Sequence, residues 1–277
     1  MRKRRIGVVG ALGLAMAVAI PGTALASGTQ NVEAGFTPEK NANVTFPAPS
    51  ANLSDQFSKN GTIRFHLFLS NIVGQPPALQ TVDIHAPEEL KFNTKGLARC
   101  DPAIIEGTTP EDARAACPDA QIGTGSATAL GIPQPGGVTL FNGTEQNGNP
   151  TTLFHTFTAN VPIVLVAEMQ DSPLQGYGTL FHTPVSTTVG GGVPPGIVIT
   201  DTDFTNSKTY KDKKILKKAK KAKKKGNTKK YKKLKKKAKK SWVQAECTDG
   251  TLTTQVDFIH APPEPTQSPT AEQPCTS

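Results

Sequence analysis

Polar and apolar residues alternate with a period of two in a series of short stretches. The clearest is 62–70, where Ile63, Phe65, Leu67 and Leu69 fall on one side and Arg64 and His66 on the other. Successive side chains of a strand point to opposite faces, so this pattern predicts a strand with one face in a core and one in solvent. Val82 and Ile84 alternate in the same way, as do Leu90 and Phe92. Further strands are expected over 137–142, 151–158, 161–168, 178–183, 196–204, 241–247 and 251–259. Many are separated by Gly, Pro or Asn clusters, which end a strand and turn the chain. About ten short strands without helical crossovers predict an all-β fold, an antiparallel β-sandwich or barrel.

Two stretches break that period. Between Cys100 and Cys117, Asp101-Pro102 and Thr109-Pro110 each place a capping residue before a proline at the first helical position. Thr109 with Asp112 resembles a capping box in which Asp replaces Glu. Two short helical turns are expected inside a disulfide loop. The second stretch is 208–240. Ile215, Ala219 and Ala222 fall at helical spacing, as do Tyr231, Leu234 and Ala238, with Gly226-Asn227-Thr228 as a turn between them. This predicts a hairpin projecting from a sheet edge, each half roughly 18–22 Å long if helical, at ~1.5 Å per residue. Almost everything else in it is lysine. Ten lysine pairs stand four residues apart within the two segments. At roughly 0.2–0.5 kcal/mol each they oppose the helix by about 2–5 kcal/mol. The apolar stripes are too thin to offset that securely. The insertion is expected as a helical or disordered hairpin, frayed until anions neutralise it.

The N-terminus has its own pattern. Arg2, Lys3, Arg4 and Arg5 precede an apolar run over 6–20, then Pro21, Gly22 and the small-residue sequence Ala24-Leu25-Ala26. That is the layout of a secretion signal cleaved after Ala26. The run is short for a bilayer core of ~30 Å. No second apolar stretch of spanning length follows, so no transmembrane span is expected in the mature chain. The expected location is secreted or extracellular, with association to the cell surface as a variant. The domain organisation expected is a signal peptide over 1–26, an extended lead-in over 27–60, and the first part of the β-rich domain over 61–207. The Lys-rich insertion follows over 208–240, then last strands over 241–260 and a Pro-rich tail over 261–277.

Cys100, Cys117, Cys247 and Cys275 all fall in the mature part, and an even count in an exported chain reads as disulfides. Of three pairings, local closure favours Cys100–Cys117 and Cys247–Cys275, each worth on the order of 3 kcal/mol. The net charge of +9 hides a split. Residues 208–240 hold 20 lysines and the single acid Asp212. The signal holds four basic residues, and the remainder holds 7 basic residues against 21 acids. An acidic body therefore carries a cationic arm.

That arm is the main candidate for function. Its expected polyanion-binding residues are Lys213, Lys214, Lys217, Lys218, Lys220, Lys221, Lys224, Lys229, Lys230, Lys232, Lys233, Lys236, Lys237 and Lys240. The expected partners are anionic wall polymers, acidic polysaccharides, anionic lipid headgroups or nucleic acid. Aromatic interleaving is limited to Tyr210, Tyr231 and Trp242, which argues against base stacking. A solvated loop, or an arm docked on an acidic body, is the competing reading.

Catalytic signatures are absent: there is no H-E-x-x-H, G-x-S-x-G or phosphate-binding loop. The five histidines, His66, His85, His155, His182 and His260, read as ordinary surface residues of strands, and no metal or cofactor is expected. Asp201 and Asp203 alternate on one strand, and Asp83 has room for a carboxylate neighbour on another. A solvated face is the expectation for both. Asn43, Asn52, Asn60 and Asn142 lie in N-x-S/T sequons. Two echoes stand out: Val82-Asp83-Ile84-His85-Ala86-Pro87 with Val256-Asp257-Phe258-Ile259-His260-Ala261-Pro262, and Thr152-Leu153-Phe154-His155-Thr156 with Thr179-Leu180-Phe181-His182-Thr183.

The block Leu90-Lys91-Phe92-Asn93-Thr94-Lys95-Gly96-Leu97, followed by Cys100, Ala116-Cys117-Pro118 and Gly123-Thr124-Gly125-Ser126-Ala127, resembles uncharacterised secreted β-rich proteins of actinobacteria. The resemblance implies secretion, the local disulfide and a β-rich body, and it assigns no functional residue. These readings together point to a secreted, non-catalytic β-rich protein that binds anionic polymers or surfaces through its lysine arm. The alternatives are an extracellular hydrolase on a polymeric substrate, or a structural envelope component that self-associates through its charge split.

Overall fold

The computed structural model describes residues 28–38, 51–52, 63–73, 79–129, 136–158, 161–185, 199–206, 209–248, 250–260 and 262–276. The expected signal peptide, Asn43 and Asn60 lie outside the described residues.

Phe65, Leu67 and Leu69 are buried while His66 and Phe68 between them are partly exposed, so the period-two stretch is strand β3 (Ile63–Val73). The same logic builds a 12-stranded sheet. It contains β1 (Thr29–Pro38), β2 (Ala51–Asn52), β3, β4 (Leu79–Pro87), β6 (Gln121–Ala129), β7 (Gly136–Asn142) and β8 (Thr151–Thr158). It continues with β9 (Val161–Asp171), β10 (Tyr177–Pro184), β11 (Ile199–Asn206), β15 (Thr251–His260) and β16 (Thr270–Thr276). The spatial order is β1-β3-β11-β6-β7-β8-β9-β10-β4-β15-β16-β2, antiparallel except for β16–β2. The sheet curls into a half-barrel. Two small ladders complete it: β5 (Leu90–Phe92) with β14 (Val243–Ala245), and β12 (Thr209–Lys211) with β13 (Lys239–Ser241).

The expected all-β, antiparallel architecture is the one present, with more strands than periodicity alone reveals. The stretch 27–60, expected as an extended lead-in, supplies β1 and β2, and the Pro-rich tail supplies β16. Strand β6 escapes the alternation test because Gly123, Gly125, Ser126 and Ala127 give it little apolar bulk. Curling brings β1 beside β16, where two glutamine side chains stand in for a ladder. Gln273 accepts the Phe36 N–H at 2.6 Å and donates to the Phe36 carbonyl at 3.1 Å. Gln267 accepts from the Gln30 N–H at 2.8 Å and donates to the Gly28 carbonyl at 2.8 Å. A side-chain amide carries the donors and acceptor of a peptide group, so it can satisfy an edge that would otherwise stay open.

The concave face holds the main core. Phe36 stacks on Phe65 at 4.9 Å, and Trp242 packs edge-on to Phe92 at 5.0 Å beside Phe181. Burying aromatic groups of this size contributes roughly 1.5–3 kcal/mol each. On the convex face, α1 (Pro102–Ile105) and α2 (Pro110–Ala116) cover β7–β9, burying Ile105, Ala113, Phe141, Leu153 and Val164 together. Both helical turns begin at the expected caps, with Asp101 accepting from the Ala103 N–H and Thr109 from the Asp112 N–H. Asp112 is too short to reach back to the cap backbone, and accepts from the Thr109 hydroxyl at 2.8 Å instead. The disulfides are Cys100–Cys117, which pins this cover, and Cys247–Cys275, which ties β16 to the segment after β14. Asn142 is buried and donates to the Ala98 carbonyl at 2.9 Å, so its sequon is not a surface site.

His155 is also beneath this cover and fully buried, contrary to its reading as a surface residue. Its Nε2 lies 3.1 Å from the Thr108 carbonyl, so Nε2–H donates there. Burial, with the nearby Arg114 charge, holds its pKa below the ordinary value of 6.5. The folded state therefore binds fewer protons than the unfolded chain below about pH 6.5, and its stability falls as pH drops through that region. Melting temperatures at pH 7 and pH 5 should show a larger loss in the parent chain than in His155→Gln. Equal losses would mean that His155 is not the group responsible.

Candidate functional site

Lysine, alanine and leucine favour helix, and the arm uses little else. It forms α3 (Lys213–Lys224) and α4 (Thr228–Ala238), packed as a hairpin. Of the two expected forms, helical or disordered, the hairpin takes the helical one, and three devices hold it. The first is capping. Asp212 accepts from the Ile215 N–H at 3.0 Å, and Asn227 accepts from the Lys230 N–H at 2.9 Å. At the far end of α3, Gly226 adopts φ 72, the left-handed conformation that favours glycine. Its N–H donates to the Lys223 carbonyl and the Asn227 N–H to the Ala222 carbonyl, closing a Schellman motif. Lys221, Lys223 and Lys224 in the last turn face the negative end of the helix dipole.

The second device is the seam. Ala219, Ala222 and Ala238 are buried, and Ile215, Leu216, Tyr231 and Leu234 are half-buried. Lys223 Nζ lies 5.6 Å from the centre of the Tyr231 ring, a cation–π contact across the hairpin. The third device is the neck. Tyr210 pairs with Lys240 and Lys211 with Lys239, and the Asp212 N–H donates to the Ala238 carbonyl at 2.8 Å. The turn after β5 grips this neck. The Tyr210 hydroxyl is shared between the carbonyls of Lys95 at 2.9 Å and Asn93 at 3.2 Å. Asn93 in turn donates to the Ser241 carbonyl at 2.9 Å, and its N–H to the Trp242 carbonyl at 2.7 Å. Burial and the Asp212 charge push the Tyr210 hydroxyl up to about 12, so it stays a donor.

The neck therefore directs the cations away from the body. Every lysine from Lys211 to Lys237 is exposed, including all of the expected binding residues in that range, and Lys240 lies in β13 opposite Tyr210. Lys223, Lys225 and Lys235 share this exposure and join the same surface. Two carboxylates of the body are paired with arginines, Glu145 with Arg99 and Glu111 with Arg114.

The convex face of β9, β10, β4 and β15 carries a second polar arrangement. Register places Glu168 opposite His182, His182 opposite Asp83, and Asp83 opposite Asp257, in one row across four strands. His182 Nδ1 lies 2.7 Å from Asp83 Oδ1, and His85 Nε2 lies 3.2 Å from Asp257 Oδ2. Like charges directly opposite destabilise a sheet, and here each of the two facing carboxylates has a histidine ring nitrogen within hydrogen-bond distance. The carboxylate neighbour that Asp83 had room for is thus Asp257, and the solvated-face reading of Asp83 is replaced by a paired one. The first sequence echo carried this signal, since its two copies are β4 and β15, paired to each other. His85, His155 and His260 are buried and His66 is half-buried, so surface histidines were the wrong expectation for most of them. Asp201 and Asp203 lie two apart in β11. Among the described residues, no group of three or more His, Cys, Asp or Glu is placed to hold a metal ion.

A scan against family models finds no match for this chain, and searches of curated proteins and of solved structures return none either.

Tyr210→Phe removes the shared hydroxyl and leaves two carbonyls short of a donor, at a cost of roughly 1–2 kcal/mol. Hydrogen exchange should accelerate over 209–241 while β8 and β9 keep their protection. Unchanged exchange in the hairpin would show that the neck does not depend on this contact.

Proposed function

We propose that this is an exported protein that binds anionic polymers or surfaces through the α3–α4 hairpin. The observation that carries this reading is the combination of a gripped neck with outward-facing lysines on both helices. A rigid double row of ammonium groups is pre-organised for a long polyanion, and its binding energy comes largely from release of condensed counterions. Wall polymers, acidic polysaccharides, anionic lipid and nucleic acid share that chemistry, and the sparse aromatics favour recognition of charge over recognition of bases. Export is supported by the signal pattern and by two disulfides. No helix among the described residues is long and apolar enough to cross a membrane. Kinship with secreted actinobacterial β-rich proteins belongs to the same proposal.

The experiment is a titration against polyphosphate, duplex DNA of arbitrary sequence and anionic vesicles at several salt concentrations. If about 6–10 phosphates are engaged, affinity should fall ~10³–10⁵-fold between 50 and 200 mM salt. Lys211 and Lys239 are already paired, so 212–238 can be replaced by an Asn-Gly turn without opening the sheet. That variant should lose binding to all three probes. Undiminished binding, or binding indifferent to salt, refutes the proposal.

A further inference from the structure

The turn that joins β9 to β10 begins at Ser172, immediately after Asp171 ends β9. Strand β10 pairs with β9 and β4, and β4 pairs with β15. This topology brings residues 85, 172 and 257 into one hydrogen-bonded line. Ser172 Oγ lies 2.9 Å from His85 Nδ1, and His85 Nε2 lies 3.2 Å from Asp257 Oδ2. The Leu174 N–H donates to Ser172 Oγ at 3.2 Å, and Gln255 donates to the other Asp257 oxygen at 2.8 Å. The serine hydroxyl thus keeps its proton for His85, and a neutral imidazole protonated on Nε2 completes the line to the carboxylate. The Tyr177 ring stands edge-on to His85 at 5.8 Å and limits its rotation. His85 is buried, Ser172 is partly exposed, and the Asp257 side chain keeps 20% of its surface open. A nucleophile reachable from outside, a base within hydrogen-bond distance, and a third group that orients the base are the three parts of an acyl-transfer site.

We infer that Ser172, His85 and Asp257 form a hydrolytic site for carboxylic esters on the convex face. This goes beyond the polyanion reading and does not rest on it. Ser172 Oγ attacks the ester carbonyl while its proton passes to His85 Nδ1. The C–O bond of the ester then breaks, and the leaving alcohol takes that proton. Water adds to the acyl group on Ser172, giving one proton to His85. The carboxylic acid leaves as His85 returns a proton to Ser172 Oγ. The sum is ester plus water giving acid plus alcohol, with no other reactant. Asp257 is a positioning residue that holds the imidazole in the tautomer able to accept at Nδ1.

An alkyl fluorophosphonate tests this on the intact chain. Attack by Oγ forms an O–P bond and expels fluoride, leaving a stable adduct. One adduct per chain is expected, on the peptide containing Ser172, with slow hydrolysis of p-nitrophenyl acetate before labelling and none after. Ser172→Ala should take no label there. Asp257→Asn should slow labelling by ~10²-fold or more with its melting temperature checked in parallel, and Asp257→Glu should recover part of the rate. Ser126→Ala, at an exposed position on β6, should label like the parent. The inference is overturned if the parent chain takes no adduct at Ser172, if other serines react as fast, or if Asp257→Asn labels at the parental rate. A turn-forming role for Ser172 predicts those last results.

Discussion

Strands β4 and β15 meet in an antiparallel ladder that runs from Gln255 opposite His85 to His260 opposite Leu79. The two strands are far apart in sequence, so this pairing must close a long loop of chain, and only its side chains repay that entropy. On the concave face it sets Ile84 against Val256 in the main core. On the convex face it sets Asp83 against Asp257. It also returns the chain near β5, where Trp242 closes over Phe92 and Phe181 and β14 pairs with β5. The lysine hairpin leaves from and returns to the same place, and Asn93, just after β5, bonds its neck to this part of the core.

The hairpin shows how repulsion can be confined. Lysines four residues apart resist the helix along its whole length, yet the opposing terms are local and few. A carboxylate caps one helix, an asparagine the other, three alanines bring the two axes close, and Tyr210 locks the neck to the body. The cost of crowding the charge is met at the base and along the seam. The lysines themselves stay exposed along both helices.

The convex sheet face follows a different rule. Its polar groups are individually placed by register. Strand pairing fixes which residues are opposite to within one side chain, and a slip of one residue would turn every one of them to the core. The histidine–carboxylate pairs and Ser172 therefore depend on the same alternation that buries Ile84, Phe181, Val256 and Phe258. The polar arrangement of that face comes from precise spacing, whereas the character of the hairpin comes from charge density.

The sequence by itself determined the features that rest on neighbours along the chain. Alternation marks β3, β4, β8, β9 and β15, since a strand exposes its two faces within five residues. Asp101 and Thr109 mark helix starts for the same local reason. The lysine excess of 208–240 is a matter of counting. Tertiary structure decided what depends on residues far apart. Glycine-rich β6 is a strand because β7 and β11 flank it, and β1 and β16 meet because Gln267 and Gln273 can imitate a ladder across a gap. The hairpin is ordered because Asn93, Lys95 and Tyr210 meet, over a hundred residues apart. The line from Ser172 through His85 to Asp257 has no linear signature, since its members stand on three separate segments and only pairing makes them neighbours.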